Sequence, residues 1–235
     1  MQAIILAGGK GSRLKPFTVS IPKPLMPIGD IPILEIVLRQ LKYYGFKDVV
    51  IAINHMAELI MAFFKNGEQL GLNITYSIED KALGTAGPLT LINDLEDNFL
   101  VMNGDLLTTI NYRDLFKYHL MKKSDATISV YNKDVNIDLG VLRIKNDRLV
   151  DYIEKPTYHF DVSMGVYVFN KGIVKNIKQN SNMNMPDLIL KLKNQKKKIS
   201  CYKGDYYWLD IGRIDDYETA NTIFEKKRRE FLPHE

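Results

Sequence analysis

Ala3-Ile4-Ile5-Leu6-Ala7-Gly8-Gly9-Lys10-Gly11-Ser12-Arg13-Leu14 runs a short apolar segment straight into a glycine-rich turn. Consecutive apolar residues of this length read as a strand covered on both faces. Glycines let a backbone approach an anionic ligand closely and aim several N–H groups at it. Open α/β sheets bind ligands at the carboxyl ends of their strands, where this loop emerges. The loop does not end in Gly-Lys-Ser/Thr, so it is not a Walker A sequence. Nor is it a dinucleotide fingerprint, because Leu14 stands where the third glycine belongs.

The rest of the front half repeats the same rhythm. Apolar runs recur at 49–53, 74–78 and 99–102, with amphipathic stretches between them. Asp30 can cap a helix with Pro32 in its first turn, and Leu34, Val37, Leu38 and Leu41 then share one face. Residues 56–64, 86–95 and 113–121 read as further helices. Strand and helix alternating at this spacing predict an α/β fold with a mainly parallel sheet. The back half differs: strands at 126–131, 139–144, 149–153 and 166–169 have short connections, so some must be antiparallel. Helices are predicted at 173–178 and 186–192, with strands 201–202 and 206–209 bracketing a Gly204-Asp205 turn and a last helix over 214–228. With no linker or internal repeat, residues 1–235 read as one domain.

Composition excludes several function classes. A net charge of +4 is too weak and too dispersed for a nucleic-acid binder, although it suits anionic substrates. The basic runs 196–198 and 226–229 read as solvated surface. Cys201 is the one cysteine, and its flanks predict a buried structural thiol. No apolar run approaches a membrane span, and no basic leader precedes the first strand, so the expected compartment is the cytoplasm.

Arg13 strengthens the phosphate reading, since a guanidinium suits a phosphate chain. Lys23 follows between two prolines, in Pro22-Lys23-Pro24, which makes a stiff mount for an ammonium that must meet a phosphate at a fixed distance. Together, Gly8-Gly9-Lys10-Gly11-Ser12-Arg13-Leu14 and Pro22-Lys23-Pro24-Leu25-Met26-Pro27-Ile28 resemble the signature of the sugar-1-phosphate nucleotidyltransferases, with Ser12 where that family usually has threonine. The resemblance extends along the chain through Leu83-Gly84-Thr85-Ala86-Gly87, Asn103-Gly104-Asp105, Glu154-Lys155-Pro156 and Trp208-Leu209-Asp210-Ile211-Gly212.

The resemblance implies a Rossmann-like, mixed, mainly parallel sheet flanked by helices, the nucleotide-diphospho-sugar transferase fold. It implies a nucleotide-binding front half, a sugar-phosphate-binding back half and no C-terminal β-helix domain. It assigns the nucleotide to Leu6, Ala7, Gly8, Gly9, Gly11, Ser12, Arg13, Lys23, Glu79, Gly84, Thr85, Asn103, Gly104 and Asp105. The sugar phosphate falls to Gly140, Glu154, Lys155, Ser163 and Gly165, and the metal, Mg²⁺, to Asp105 and Asp210. Arg13, Lys23 and Lys155 become the catalytic cations. Family precedent adds a homo-oligomer, dimer or tetramer. The residues agree on the metal: Asp105 ends an apolar strand, and Mg²⁺ needs only one or two carboxylates beside phosphate oxygens and water. Taken singly, Asp105 reads better as a turn aspartate after Asn103-Gly104, and Asp210 reads equally as an N-cap or a turn residue before Gly212.

Glu79 has two readings, a base-edge acceptor or a solvated loop residue. A carboxylate only accepts hydrogen bonds, and guanine offers it two adjacent donors. The run 78–89 is most similar to mannose- and heptose-1-phosphate guanylyltransferases, which favours GTP and leaves uridylyl-, cytidylyl- and thymidylyltransferases open. Ser163-Met164-Gly165 departs from the family's usual Asn-Ala-Gly, which leaves the sugar open within the aldohexoses and heptoses. Two rivals remain. An oxidoreductase reading fails because Asp30 precedes a proline-started helix instead of ending a strand. A non-catalytic, nucleotide-sugar-binding regulatory subunit stays open.

Overall fold

The computed structural model describes residues 1–233. Seven strands build the central sheet: β1 (Gln2–Leu6), β2 (Asp48–Ile53), β3 (Asn73–Ile78), β4 (Asn98–Asn103), β5 (Ala126–Asn136), β6 (Thr157–Asn170) and β7 (Ile199–Lys203). Their order across the sheet is β7-β5-β6-β4-β1-β2-β3. Neighbours run parallel except β6, which is antiparallel to both β4 and β5. The sheet is therefore mixed and mainly parallel, as expected. β1 sits near its middle, with Ala3, Ile4 and Ile5 fully buried.

Helices cover both faces. On one side lie α1 (Ile33–Tyr43), α2 (Ala57–Phe64) and α3 (Tyr112–Lys122), and on the other α4 (Met185–Asn194). The predicted stripe of α1, Leu34, Val37, Leu38 and Leu41, is wholly buried in the first core. Burial at roughly 1.5–3 kcal/mol per large apolar side chain makes that stripe the reason α1 docks. A fifth helix, α5 (Ile214–Phe231), packs Ala220, Phe224 and Phe231 on Ile28, Ile33 and Leu107. Among the described residues, no helix is long and apolar enough to cross a membrane.

Several predicted elements need correction. Residues 86–95 contain only the 3-10 turn Gly87–Leu91, tied at its start by the N–H groups of Ala86 and Gly87 on the carbonyl of Met183, at 2.9 and 3.2 Å, and ended by extended backbone at Ile92. Residues 173–178 likewise give way to a 3-10 turn, Lys171–Asn176. Asp30 does not cap α1: Pro32 is the cap residue, and the Asp30 carboxylate pairs with Arg228 of α5. Segment 206–209 does not return on β7. Trp208–Asp210 pairs antiparallel with Leu106–Thr108, so that Asp210 lies opposite Leu106. Cys201 is exposed on edge strand β7.

Strands β5 and β6 are far longer than the apolar runs that announced them. Past Val130 they pair only with each other, forming a two-stranded arm. The N–H of Ile137 bonds the carbonyl of Pro156 at 3.0 Å and carries the arm into a hairpin, Val141–Lys145 against Arg148–Ile153. Because β5 runs parallel to β1, the arm leaves the sheet at the carboxyl end of β1, the end that carries the glycine loop.

Candidate active site

A cleft of about 420 Å³ opens at that carboxyl edge. Of the predicted nucleotide residues, Leu6, Gly8, Gly9, Glu79, Gly84, Thr85, Asn103 and Asp105 line it. Gly8 forms part of its floor. A Cβ there would stand 3.1 Å from Glu79 Oε1 and 3.4 Å from Asn54 Cβ. Glu79 is buried, which removes the solvated-loop reading. Its Oε2 accepts the Leu83 N–H at 2.9 Å, and its carbonyl accepts the Asn54 amide at 2.9 Å. Burial pushes the Glu79 carboxyl up, and the Leu83 hydrogen bond pulls it back.

The loop carrying Gly84 and Thr85 is stapled to the start of α4. Gly84 has φ +75°, and a Cβ would meet the Met183 carbonyl oxygen at 2.5 Å, so only glycine fits. Thr85 Oγ1 accepts the Met185 N–H at 2.7 Å, which makes Thr85 a brace as well as a wall. Gly165 (φ +74°) lets Asn103 approach: a Cβ there would lie 2.7 Å from Asn103 Nδ2. The preceding carbonyl, Met164, accepts the Trp208 indole N–H at 2.9 Å, and Ser163 Oγ bonds the Tyr167 hydroxyl at 3.0 Å.

Four ionic residues from distant parts of the sequence meet at the rim of the cleft. Lys23 Nζ pairs with Asp105 Oδ2. The other oxygen, Asp105 Oδ1, is buried and accepts no hydrogen bond among the described residues. Asp210 is one strand away, tied in by the Ile211 N–H on the Asp105 carbonyl at 3.2 Å. Partial desolvation pushes the Asp210 carboxyl up, the charge of Asp105 adds to this, and Lys23 and Arg13 oppose it. The Arg13 guanidinium lies over Gly212, where a Cβ would stand 3.4 Å from Nη2. Two neighbouring carboxylates with one buried, unpartnered oxygen suit a hard divalent cation whose remaining ligands come from phosphate and water. No group of three or more potential ligand side chains exists among the described residues.

Other predicted residues lie elsewhere. Ala7, Gly11, Ser12 and Gly104 do not line the cleft. The Ala7 N–H bonds the Ala52 carbonyl at 2.8 Å, Gly11 (φ +60°) is fixed by the Thr18 hydroxyl on its carbonyl at 2.8 Å, and Gly104 packs on Ile5. Gly140, Glu154 and Lys155 lie on the arm, outside the cleft. Lys155 pairs with Asp138 at 3.0 Å and is largely exposed, the Tyr152 hydroxyl donates to Glu154 at 3.0 Å, and Gly140 packs against the Tyr152 ring.

The cleft also has walls that sequence reasoning passed over: Lys10, Ala52, Asn54, Ala82 and Pro88. Asn54 follows the apolar run of β2 directly, the same positional signal that marked Asp105. Asp216 was missed too. Its Oδ2 accepts the N–H groups of Gly212 at 3.2 Å and Arg213 at 2.8 Å, bracing the segment that presents Asp210.

The nucleotidyl transferase family model matches residues 2–227. The chain belongs to the nucleotidyl transferase family. Members similar to it include the UTP--glucose-1-phosphate uridylyltransferase of Synechocystis sp., 32% identical over 94% of this chain and 62% of that protein. A mannose-1-phosphate guanyltransferase of Pichia angusta is 33% identical over 95% of this chain and 64% of that protein. The chain thus spans somewhat under two thirds of the length of these relatives. Two solved structures superpose along 95% of it. One is a putative glucose-1-phosphate thymidylyltransferase from Bacillus anthracis, at TM-score 0.76, 26% identity and 94% of that chain. The other is HddC from Yersinia pseudotuberculosis complexed with GMP-PN, at TM-score 0.72, 25% identity and 99% of that chain.

Proposed function

We propose that the chain is a Mg²⁺-dependent sugar-1-phosphate nucleotidyltransferase using GTP and a mannose- or heptose-type 1-phosphate in the cytoplasm, as one domain with nucleotide and sugar-phosphate halves. The observation that carries this is the rim cluster: Asp105, with its unpartnered buried oxygen, beside Asp210, Lys23 and Arg13 at the mouth of a glycine-floored cleft.

In the reaction, a sugar-phosphate oxygen attacks the α-phosphorus of the triphosphate and a new P–O bond forms. The α–β bridging P–O bond breaks, and pyrophosphate leaves with its electron pair. Both reactants are anions, so catalysis needs cations and alignment instead of a strong base. Glu79 accepts from the guanine edge and sets the base. Lys23 exchanges its Asp105 contact for triphosphate oxygens, and Arg13 stabilises the departing pyrophosphate. Lys155, reaching in from the arm, holds the sugar phosphate. Asp105 and Asp210 would hold Mg²⁺, which supplies charge neutralisation at the reacting phosphates. Arm and cleft share one end of the sheet, which supports an acceptor side facing the nucleotide.

Pyrophosphate release should be measured with each common triphosphate, Mg²⁺ and a panel of sugar 1-phosphates. Release is expected with GTP and a mannose- or heptose-type acceptor, and is lost on chelation and in Asp105→Ala. Release with UTP alone would overturn the base assignment. Silence across the panel, with nucleotide sugars still bound, would replace catalysis by a regulatory role.

A further inference from the structure

Lysines from three distant segments meet at the amino edge of the sheet, the end opposite the cleft. Lys122 and Lys123 end α3 just before β5, three lysines lie within 171–178 after β6, and five lie within 191–198, from the last turn of α4 to the start of β7. β5 and β7 start at this edge and antiparallel β6 ends there. Hydrogen bonds hold the segments together. The Asn170 N–H donates to the Asp125 carbonyl at 3.0 Å, the Asp125 N–H to the Lys198 carbonyl at 2.9 Å, and Lys191 Nζ to the Asn176 carbonyl at 2.8 Å. All ten lysines are exposed. Asp125, paired with Lys197 at 3.2 Å, is the one acid in 122–125, 170–178 and 191–198. These segments therefore carry +9 against +4 for the whole chain, which leaves the rest net acidic. Residues 196–198 alone are ordinary solvated surface, but folding concentrates them with seven more lysines into one field.

We infer that this edge docks the chain on an anionic lipid surface. Charge complementarity calls for an anion, and the composition of the patch selects which kind. Its cations are all lysines, with no arginine in the three segments. An ammonium is a point charge that suits a diffuse headgroup layer, whereas nucleic-acid recognition favours planar guanidinium forks. None of the three segments contains an aromatic residue to stack on bases. The exposed apolar side chains beside the lysines are aliphatic: Leu120 and Met121 precede Lys122 and are 47% and 69% exposed, and Leu190 precedes Lys191 and is 56% exposed. Aliphatic side chains set among lysines are the pattern that lies at a headgroup–acyl boundary. The cleft opens at the carboxyl edge, so a chain docked by its amino edge keeps the cleft turned to water. The inference does not depend on the proposed function.

The test is co-sedimentation of the full chain with vesicles of phosphatidylcholine, alone or with roughly one-third phosphatidylglycerol. The chain is expected to bind the anionic vesicles at about 0.1 M salt, to leave them at about 0.5 M, and to ignore the neutral ones. Lys193→Glu/Lys196→Glu should weaken that binding by about 30-fold, and Lys175→Glu/Lys178→Glu, from a separate segment, by a similar factor. Lys226→Glu/Arg229→Glu on α5 makes the same change in net charge elsewhere and should stay within about twofold of the wild type. All six positions are exposed, so the variants should fold, which circular dichroism and thermal unfolding will verify. A wild type that stays in solution beside anionic vesicles, edge variants that bind as well as it does, or an α5 variant that loses as much, each overturns the proposal. An oligonucleotide bound more tightly than the vesicles at the same salt reassigns the edge to nucleic acid and overturns the lipid partner. None of these outcomes needs transfer activity, so a failure here and a failure of the proposed function are read separately.

Discussion

In the proposed function, the choice of base rests on one side chain, Glu79. One carboxylate oxygen is spent on the Leu83 N–H, and the other lies beside Gly8 at the cleft floor. Glu79→Gln keeps an oxygen for Leu83 but turns an acceptor into a donor on the ligand side. GTP use should fall by about 10–100-fold, the ~1–3 kcal/mol of a lost base-edge pair, while UTP use holds or rises. Comparing kcat/KM for both nucleotides checks this, and an unchanged GTP/UTP ratio would sink the base-reading role. Much of the cleft was legible one residue at a time, because glycines and carboxylates at strand ends must face the ligand edge. Gly11 and Gly104 carry the same signal for a different reason, packing against Thr18 and Ile5. Sequence alone does not separate a glycine that admits a ligand from one that admits its own chain.

Helix α3 is bolted to β4 and β5 through His119, which is fully buried. Asn98 Oδ1 can only accept, so His119 Nε2 carries the proton at 3.1 Å, and Nδ1 accepts from the Thr127 hydroxyl at 2.8 Å. The ring is neutral in the fold: burial holds its pKa down at about 4, with Asp125 pulling weakly upward. The unfolded chain takes up this proton near pH 6.5 and the folded one does not. Stability from this group is therefore full above about pH 6.5 and falls between there and pH 4, by up to roughly 3 kcal/mol. Urea unfolding at pH 7.5 and 5 should show that loss in the wild type and a smaller one in His119→Gln. Equal losses would mean that other groups carry the acid sensitivity. Elements were readable where burial alone dictates them, as in the stripe of α1. Residues 86–95 misled because their apolar pattern is shaped by contacts distant in sequence, the Met183 carbonyl on the Ala86 and Gly87 N–H groups and the Met185 N–H on Thr85, and the turn there ends at Leu91. The far halves of β5 and β6 escaped notice because Asn132-Lys133-Asp134-Val135-Asn136 has no apolar run, and its strand is made by pairing.

Over the whole molecule, the sheet's carboxyl edge gathers the cleft, the rim cluster and the root of the arm. Ligands that bridge these parts should stabilise the fold. Saturating GTP with Mg²⁺, at about 100 times Kd, adds ~2.7 kcal/mol and should raise Tm by roughly 5–10 °C. Thermal unfolding followed by fluorescence checks this, and EDTA should remove much of the gain. A shift untouched by EDTA would remove the metal from nucleotide binding. The pairing of Trp208–Asp210 with Leu106–Thr108 has a further consequence, one of timing. Strands β1, β2, β3 and β4 and every cleft-lining residue lie within the first 105 positions, but Asp210 emerges from the ribosome roughly a hundred residues later. At ~5–20 residues per second that is a lag of about 5 to 20 s. Until that stretch is made, the loop of Gly84 and Thr85 lacks its staple at Met183–Met185 and the Asp105 carbonyl lacks the Ile211 N–H, so the cleft is completed only when the last part of the chain has been synthesised.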